Sequence, residues 1–410
     1  MKKICSILLL STFITTFAKE NIYFFINYLN NFDHSKIDEY RESLYSYSAH
    51  QNDIFNFNKQ EKLFNYFAFK EPFLKDIFKG YNFIITGSFS NLTNVKYVIT
   101  QEVPRENDLW KSFLKIPKNK RILFSCETQI SNPRSHMNQF LKHYHKIFTW
   151  NQQFVDNKES FWLPGWIMWT DIHPMVNEIV PFSEKKLCVL VASYMYSNHE
   201  LSNHKERMEF VNFCEQEPDN NFDIYGTGWP KDKFKNYKGR IPFNGDRTIN
   251  KINIIKKYKF YLCYENTKNV KGYITEKIFQ SFVAGCVPIY SGATNIGDYI
   301  PHNCFIDRSA FKNDQELVAF LKSMDEKTYN KYIKNIKAFL SGKEINKYSR
   351  QYIAQQIKEA LHLQDNEKNS VPEKLRISNT LGLPNLLTQW AMLRFPNIKK
   401  SIKKGSLFNA

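Results

Sequence analysis

The chain has no Cys-x-x-Cys pair, and none of its seven cysteines stands at ligand spacing from a histidine. That excludes the usual zinc and redox-dithiol frameworks. Carboxylates and histidines are not clustered at ligand spacing either, so nothing in the sequence requires a metal. Helix-turn-helix, zinc-finger and RNA-recognition patterns are missing as well, so the net charge of +17 is not read as a nucleic-acid signal. Long apolar runs are scarce. The N-terminal one, residues 4–17, is brief for a spanning helix and is followed by Ala18 and Lys19, so segment 1–18 reads as a secretory signal peptide or a short anchor. Cys188, Cys263 and Cys286 fall in or beside apolar runs and read as small core residues, a usage nearer to cytosolic than to secreted proteins.

What is present is enough chain, 410 residues, for two domains with cores of their own. Its 35 Phe and 23 Tyr fill cores first and offer sugar-stacking surfaces second. The positive charge is concentrated. Residues 231–259 hold ten Lys or Arg against Asp232 and Asp246, and residues 374–410 hold seven against no acid. The first cluster lies just upstream of the most informative stretch, where a positive field attracts anionic ligands.

That stretch is 258–300, YKFYLCYENTKNVKGYITEKIFQSFVAGCVPIYSGATNIGDYI. Residues 258–264 and 287–290 read as buried strands. Between them Thr275 can cap a helix whose apolar face is Ile278, Phe279, Phe282 and Val283, with Gly285 as its stop. The resulting βαβ unit places a ligand beyond the strand ends, at 265–274. Free N–H groups at the helix start and Lys277 suit a phosphate. Glu276 suits sugar hydroxyls, so a nucleotide with both ribose and phosphates fits. An ordinary amphipathic helix with two solvated charges has the same pattern, and spacing alone leaves both readings open.

YKFYLCYEN, GYITEKI and AGCVPIYSG, in that order and register, resemble the donor-binding motif of the α1,3/4-fucosyltransferases, glycosyltransferase family 10. The resemblance implies an α/β fold of GT-B type, two Rossmann-like domains facing across a cleft. It also implies inverting transfer of L-fucose from GDP-fucose to a GlcNAc or glucose hydroxyl of an N-acetyllactosamine-type glycan. Asn266, Tyr273, Glu276 and Lys277 match donor-contacting positions, Glu276 on the ribose and Lys277 on the phosphates. The family has a catalytic Glu after a strand in a stretch similar to ILFSCETQISNP, where Glu127 is the sole acid, so Glu127 is the candidate general base. Without the resemblance, a Glu there reads as a loop surface residue. Arg240, in YKGRIPFNG, is the candidate for clamping the diphosphate. Arg247 is second, and a solvated cationic loop is the plain alternative. DIYGTGW also looks like the family, its Gly226-Thr227-Gly228 turn letting backbone approach a ligand. Where relatives read Ser-Asn, this chain has Ser193-Tyr194, and either Asn198 substitutes or the contact is lost. No cofactor is required, although the family leaves room for a divalent cation such as Mn.

The expected layout is 1–18 signal or anchor, 19–180 acceptor-binding domain, 181–345 GDP-fucose-binding domain, 346–363 closing helix, and 364–410 linker with a basic amphipathic tail. Strands are expected at 81–86, 97–100, 121–124, 146–150, 187–192 and 222–225, and helices at 135–145, 203–214, 314–324, 326–340 and 345–363. FWLPGWIMW, 161–169, reads as core closing the first domain, and 170–186 as a linker. In the tail, Leu386, Leu387, Trp390 and Leu393 followed by Lys399, Lys400, Lys403 and Lys404 suit peripheral contact with an anionic membrane, and a disordered charged terminus fits them equally. Localisation is therefore expected at a membrane: the Golgi lumen for a eukaryotic source, where Asn91-Leu92-Thr93 is a glycosylation acceptor, or the cytoplasmic face or envelope for a bacterial one. Two other functions fit the same residues, a GT-B enzyme using another nucleotide sugar and an inactive membrane-associated glycan-binding protein.

Overall fold

The computed structural model describes residues 20–26, 77–86, 88–165, 180–218, 221–242 and 247–363. Two parallel sheets of six strands each organise them. The first contains β1 (Asn21–Ile26), β2 (Asn82–Thr86), β3 (Val95–Gln101), β4 (Arg121–Ser125), β5 (Lys146–Thr149) and β6 (Ser160–Trp162), in the order β2-β1-β3-β4-β5-β6. The second contains β7 (Lys186–Val191), β8 (Phe222–Tyr225), β9 (Tyr237–Gly239), β10 (Tyr258–Tyr264), β11 (Val287–Ser291) and β12 (Ile306–Asp307), in the order β12-β11-β10-β7-β8-β9. Counted from its own first strand, the second sheet is ordered 3-2-1-4-5-6 read from the β9 edge, the doubly wound Rossmann order. The first begins 2-1-3-4-5, the flavodoxin order. Two such sheets in one chain make the GT-B architecture.

The helices are α1 (Asn107–Phe113), α2 (Asn138–Leu141), α3 (His204–Gln216), α4 (Arg247–Ile255), α5 (Glu276–Val283), α6 (Asp314–Ser323), α7 (Glu326–Ser341) and α8 (Arg350–Ala360). Strands covered on both faces read as continuous apolar runs, as β4 and β10 do: RILFS is wholly buried and YKFYLCY nearly so. Although α8 follows the second sheet, it packs on the first. Ile353, Ile357, Ala360 and Leu361, spaced to line one face, bury among Ile22, Phe24, Phe83 and Phe124, and the Tyr97 hydroxyl donates to the Leu361 carbonyl at 3.0 Å.

Some expectations change. Instead of a helix over 135–145 there is a 3-10 turn, Pro133–His136, and the single turn of α2. The backbone is drawn elsewhere: Ser135 Oγ accepts from the Val103 N–H, and Arg121 donates to the His143 carbonyl. The last helix starts at Arg350 with Ser349 as its cap, behind a 3-10 turn at Glu344–Tyr348. β1, lying in a stretch with no motif, and the short edge strands β6, β9 and β12 were not anticipated; two or three residues carry no periodicity to read. Segments 1–18 and 364–410, residues 166–169 of the aromatic run and 170–179 of the linker lie outside the described residues. Among those described, no helix is long and apolar enough to cross a membrane.

Candidate active site

In an open α/β sheet, ligands gather where the strand order reverses, between β7 and β10 in the second sheet. The loop after β10 is built around Glu265, which is fully buried. Its carboxylate accepts from the Thr275 N–H at 2.8 Å, from Thr275 Oγ1 at 2.7 Å and from Lys277 Nζ at 2.9 Å. Thr275 caps α5 by accepting from the Lys277 N–H. One carboxylate thus orients both the helix start and its first cation. Burial lowers the Lys277 pKa, but the Glu265 and Glu276 charges outweigh it and hold the ammonium above its ordinary value. Burial likewise raises the half-buried Glu276 carboxyl, and Lys277 and Lys251 reverse this to leave it below the usual range. Both residues are charged at neutral pH. Tyr273 is 1% exposed, and its hydroxyl has no hydrogen-bond partner among the described residues. Gly272 has φ +85°, and a Cβ there would lie 2.8 Å from the Trp150 carbonyl oxygen, so only glycine lets this loop meet the first sheet's side.

Trp150 follows β5 and joins the two halves. Its ring meets Tyr273 edge to face with centroids 4.8 Å apart, and its indole N–H donates to the Glu127 carbonyl at 2.9 Å. His136 reaches the same carbonyl at 3.0 Å. Because a carbonyl only accepts, Nε2 carries the proton and Nδ1 is left to accept from Asn151 at 3.3 Å. Burial pulls His136 down to about 4, so it is neutral. Glu127 therefore sits just past β4 with its backbone pinned. Burial raises its carboxyl pKa; a Ser131 hydrogen bond and the Arg105 and Lys277 charges draw it back, and Glu276 pushes it up. Glu127 and the start of α5 share one electrostatic neighbourhood.

Residues 183–375 match the family model described as Glycosyltransferase family 10 (fucosyltransferase) C-term. Within these residues, a little under half of the chain, it is similar to glycosyltransferase family 10. It is 46% identical over 77 residues to an α-(1,4)-fucosyltransferase of Arabidopsis thaliana, covering 18% of this chain and 19% of that one. It is 32% identical over 181 residues to 4-galactosyl-N-acetylglucosaminide 3-alpha-L-fucosyltransferase 9 of Mus musculus, covering 44% and 42%. The matched segments thus span less than half of these relatives. Over most of its length the fold is similar to a crystal structure of an α1,3-fucosyltransferase, with TM-score 0.48, 15% identity, and 86% and 91% of the two chains covered.

Not every candidate gathers at one point. Glu127, Tyr273, Glu276 and Lys277 do. Half-buried Asn266 is close by, its side chain accepting from Arg207 at 3.4 Å. Exposed Arg240 follows β9, three strands from β10, roughly 14 Å at the usual strand spacing. Arg247 opens α4. Gly226 has φ +146°, and a Cβ there would lie 1.9 Å from the Ala192 carbonyl oxygen, so at this residue the backbone closes on the end of β7. Tyr194 packs on Trp229 and Phe234.

The sequence reading missed three charged residues. Glu265 was passed over for its neighbours. Buried Arg207 donates to the Tyr264 carbonyl at 2.8 Å and so braces the loop after β10; its signal was a cation on the same helical stripe as Phe210, Val211 and Cys214. The third is Glu102, immediately past β3, the position that drew attention to Glu127 past β4. Among the described residues no three His, Cys, Asp or Glu side chains group to hold a metal ion.

Proposed function

We propose that this protein transfers L-fucose from GDP-fucose to a GlcNAc or glucose hydroxyl of an N-acetyllactosamine-type glycan, with inversion at the anomeric carbon. The observation that carries this reading is the shared neighbourhood of Glu127 with Lys277 and Glu276, bridged by Trp150 against Tyr273. A carboxylate from one sheet then faces a cation and a helix start from the other, as a single displacement needs. Glu127 takes the proton of the acceptor hydroxyl as that oxygen attacks C1 of fucose, and the C1–phosphate bond breaks toward GDP. A positioned base contributes ~10²- to 10⁴-fold. Lys277 and the N–H groups at the start of α5 stabilise the charge developing on the departing diphosphate. Glu276 accepts from the ribose hydroxyls, while Arg240, the sequence's candidate for clamping the diphosphate, stands apart from this group at the β9 edge. The raised Glu127 pKa makes it a stronger base than an exposed carboxylate.

The test is GDP release from GDP-fucose in the presence of N-acetyllactosamine, with a screen of other nucleotide sugars beside it. Glu127→Gln is expected to bind GDP-fucose as the wild type does while turnover falls at least ~100-fold. A variant that keeps most of its turnover removes Glu127 from this role. Release of GDP by the wild type sets aside an inactive glycan-binding protein.

A further inference from the structure

β3 flanks the order reversal of the first sheet, where β1 lies between β2 and β3, and Glu102 is the first residue after it. Its φ of +68° is a left-handed conformation that a non-glycine residue adopts only against strain. Its side chain is nevertheless buried, and one carboxylate oxygen accepts from two successive backbone groups, the Cys126 N–H at 2.5 Å and the Glu127 N–H at 2.8 Å. The other oxygen accepts from Ser125 Oγ at 3.2 Å. Glu127 is thus held at its N–H by Glu102 and at its C=O by His136 and Trp150.

We propose that Glu102 is a positioning residue of the transfer reaction. Its carboxylate clamps the backbone that carries Glu127, and its ionisation sets both the strength of that clamp and the electrostatic push on the Glu127 carboxylate. This rests on the reading of Glu127 as the base. The titratable groups facing Glu102 are Glu127 from the loop after β4 and the Tyr144 phenol ahead of β5, with the Ser135 hydroxyl from the turn between and the Cys126 backbone N–H beside Glu127. Arg105, Lys277 and Glu276 act on Glu127, and His136 beside it is neutral. Burial and the Glu127 charge push Glu102 up to about 7. As pH rises through that value, Glu102 gains its charge, the two N–H bonds become charge-assisted, and Glu127 is driven to bind a proton more tightly. A general base improves accordingly.

The experiment has two arms on the full chain. In the first, kcat and the KM for GDP-fucose are measured from pH 5.5 to 8.5. Wild-type kcat is expected to rise about three- to tenfold through neutrality. Glu102→Gln, whose amide oxygen can still accept both N–H bonds, is expected to lose that limb with the KM for GDP-fucose within about twofold. Glu102→Asp keeps the charge but withdraws the oxygens by one methylene, so it should keep the limb while kcat drops about tenfold or more, and it stands in should the Gln variant not fold. A merely structural role would lower folded yield without erasing the limb. The second arm needs no turnover: a carboxyl ¹³C NMR titration in which Glu127→Gln should lower the Glu102 midpoint by about one unit or more. An unmoved Glu102 midpoint, or a Gln variant with the wild-type pH limb, overturns the proposal. A shifted midpoint in a protein that turns over no GDP-fucose leaves the carboxylate pair standing and brings down the function reading instead.

Discussion

Buried titratable side chains around the site carry opposite pH signatures. Glu102 has a folded pKa of about 7 against an ordinary 4.5. The folded state therefore keeps a proton that the unfolded chain releases, and stability falls as pH rises between those values. His136 and His204 lie at about 4 against 6.5, both lowered first by burial. Folded protein refuses the proton that the unfolded chain takes, so their contributions fall as pH drops from 6.5 toward 4. Glu102→Gln is accordingly expected to raise the melting temperature at pH 8, where the buried charge costs on the order of 3 kcal/mol, and to leave it nearly unchanged at pH 4.5. Scanning calorimetry at the two pH values checks this, and equal shifts at both would remove Glu102 from the pH response. In the sequence Glu102 was as legible as Glu127 by its place after a strand. It was missed because its value comes from the N–H groups of a neighbouring strand's loop, which no local pattern shows.

Helix α5 has only eight residues, too few to be stable alone, so its start is set by what it docks against. Its buried residues run from Ile278 to Val283, while Thr275, Lys277 and Glu265 form a closed polar unit at the other end. Removing Lys277 takes from the buried Glu265 carboxylate the ammonium bonded to it and leaves it with Arg207 as a cation that does not hydrogen-bond its oxygens. Lys277→Met is therefore expected to cost about 3–5 kcal/mol in urea unfolding. Combining it with Glu265→Gln should recover much of that, because the buried negative charge is then gone; a double variant no more stable than Lys277→Met would count against the buried pair. Both variants should weaken GDP-fucose binding, since the cation proposed for the phosphates is lost. The strands and the cap of this βαβ unit were readable because apolar runs and a threonine ahead of a helical stripe are local signals. That the cation's first partner is Glu265, ten residues before Thr275, is a matter of chain return and not of spacing.

At the scale of the molecule, α8 ties the end of the second half to the first sheet. Ile353, Ile357 and Leu361 are each almost wholly buried there. At about 1.5–3 kcal/mol per side chain, the three outweigh much of the 5–15 kcal/mol that a domain has in hand. A chain ending at Ser349 is expected to lose the first half selectively: limited proteolysis should cut within 77–165 while 183–348 persists. Equal resistance across both would show that α8 is dispensable. The contact between halves also runs through Gln152, whose amide donates to the Tyr299 hydroxyl, and through Trp162 against Tyr299 and Tyr348. These contacts hold the Glu127 side and the α5 side at one relative position.

The sequence by itself determined the α/β class, most strands of both sheets, the βαβ unit around α5 and, through a motif in register over some forty residues, the resemblance to a family. Each of these is written in local periodicity, caps or contiguous motifs, which short-range sterics and burial dictate. Only the tertiary structure decided that Glu265 orients Lys277, that Arg207 braces the loop, that α8 crosses back to the first sheet, and that Glu102 grips the backbone of Glu127. Those relations join residues from different strands and helices, and their energies come from low-dielectric contacts that exist only once the sheets have closed over them.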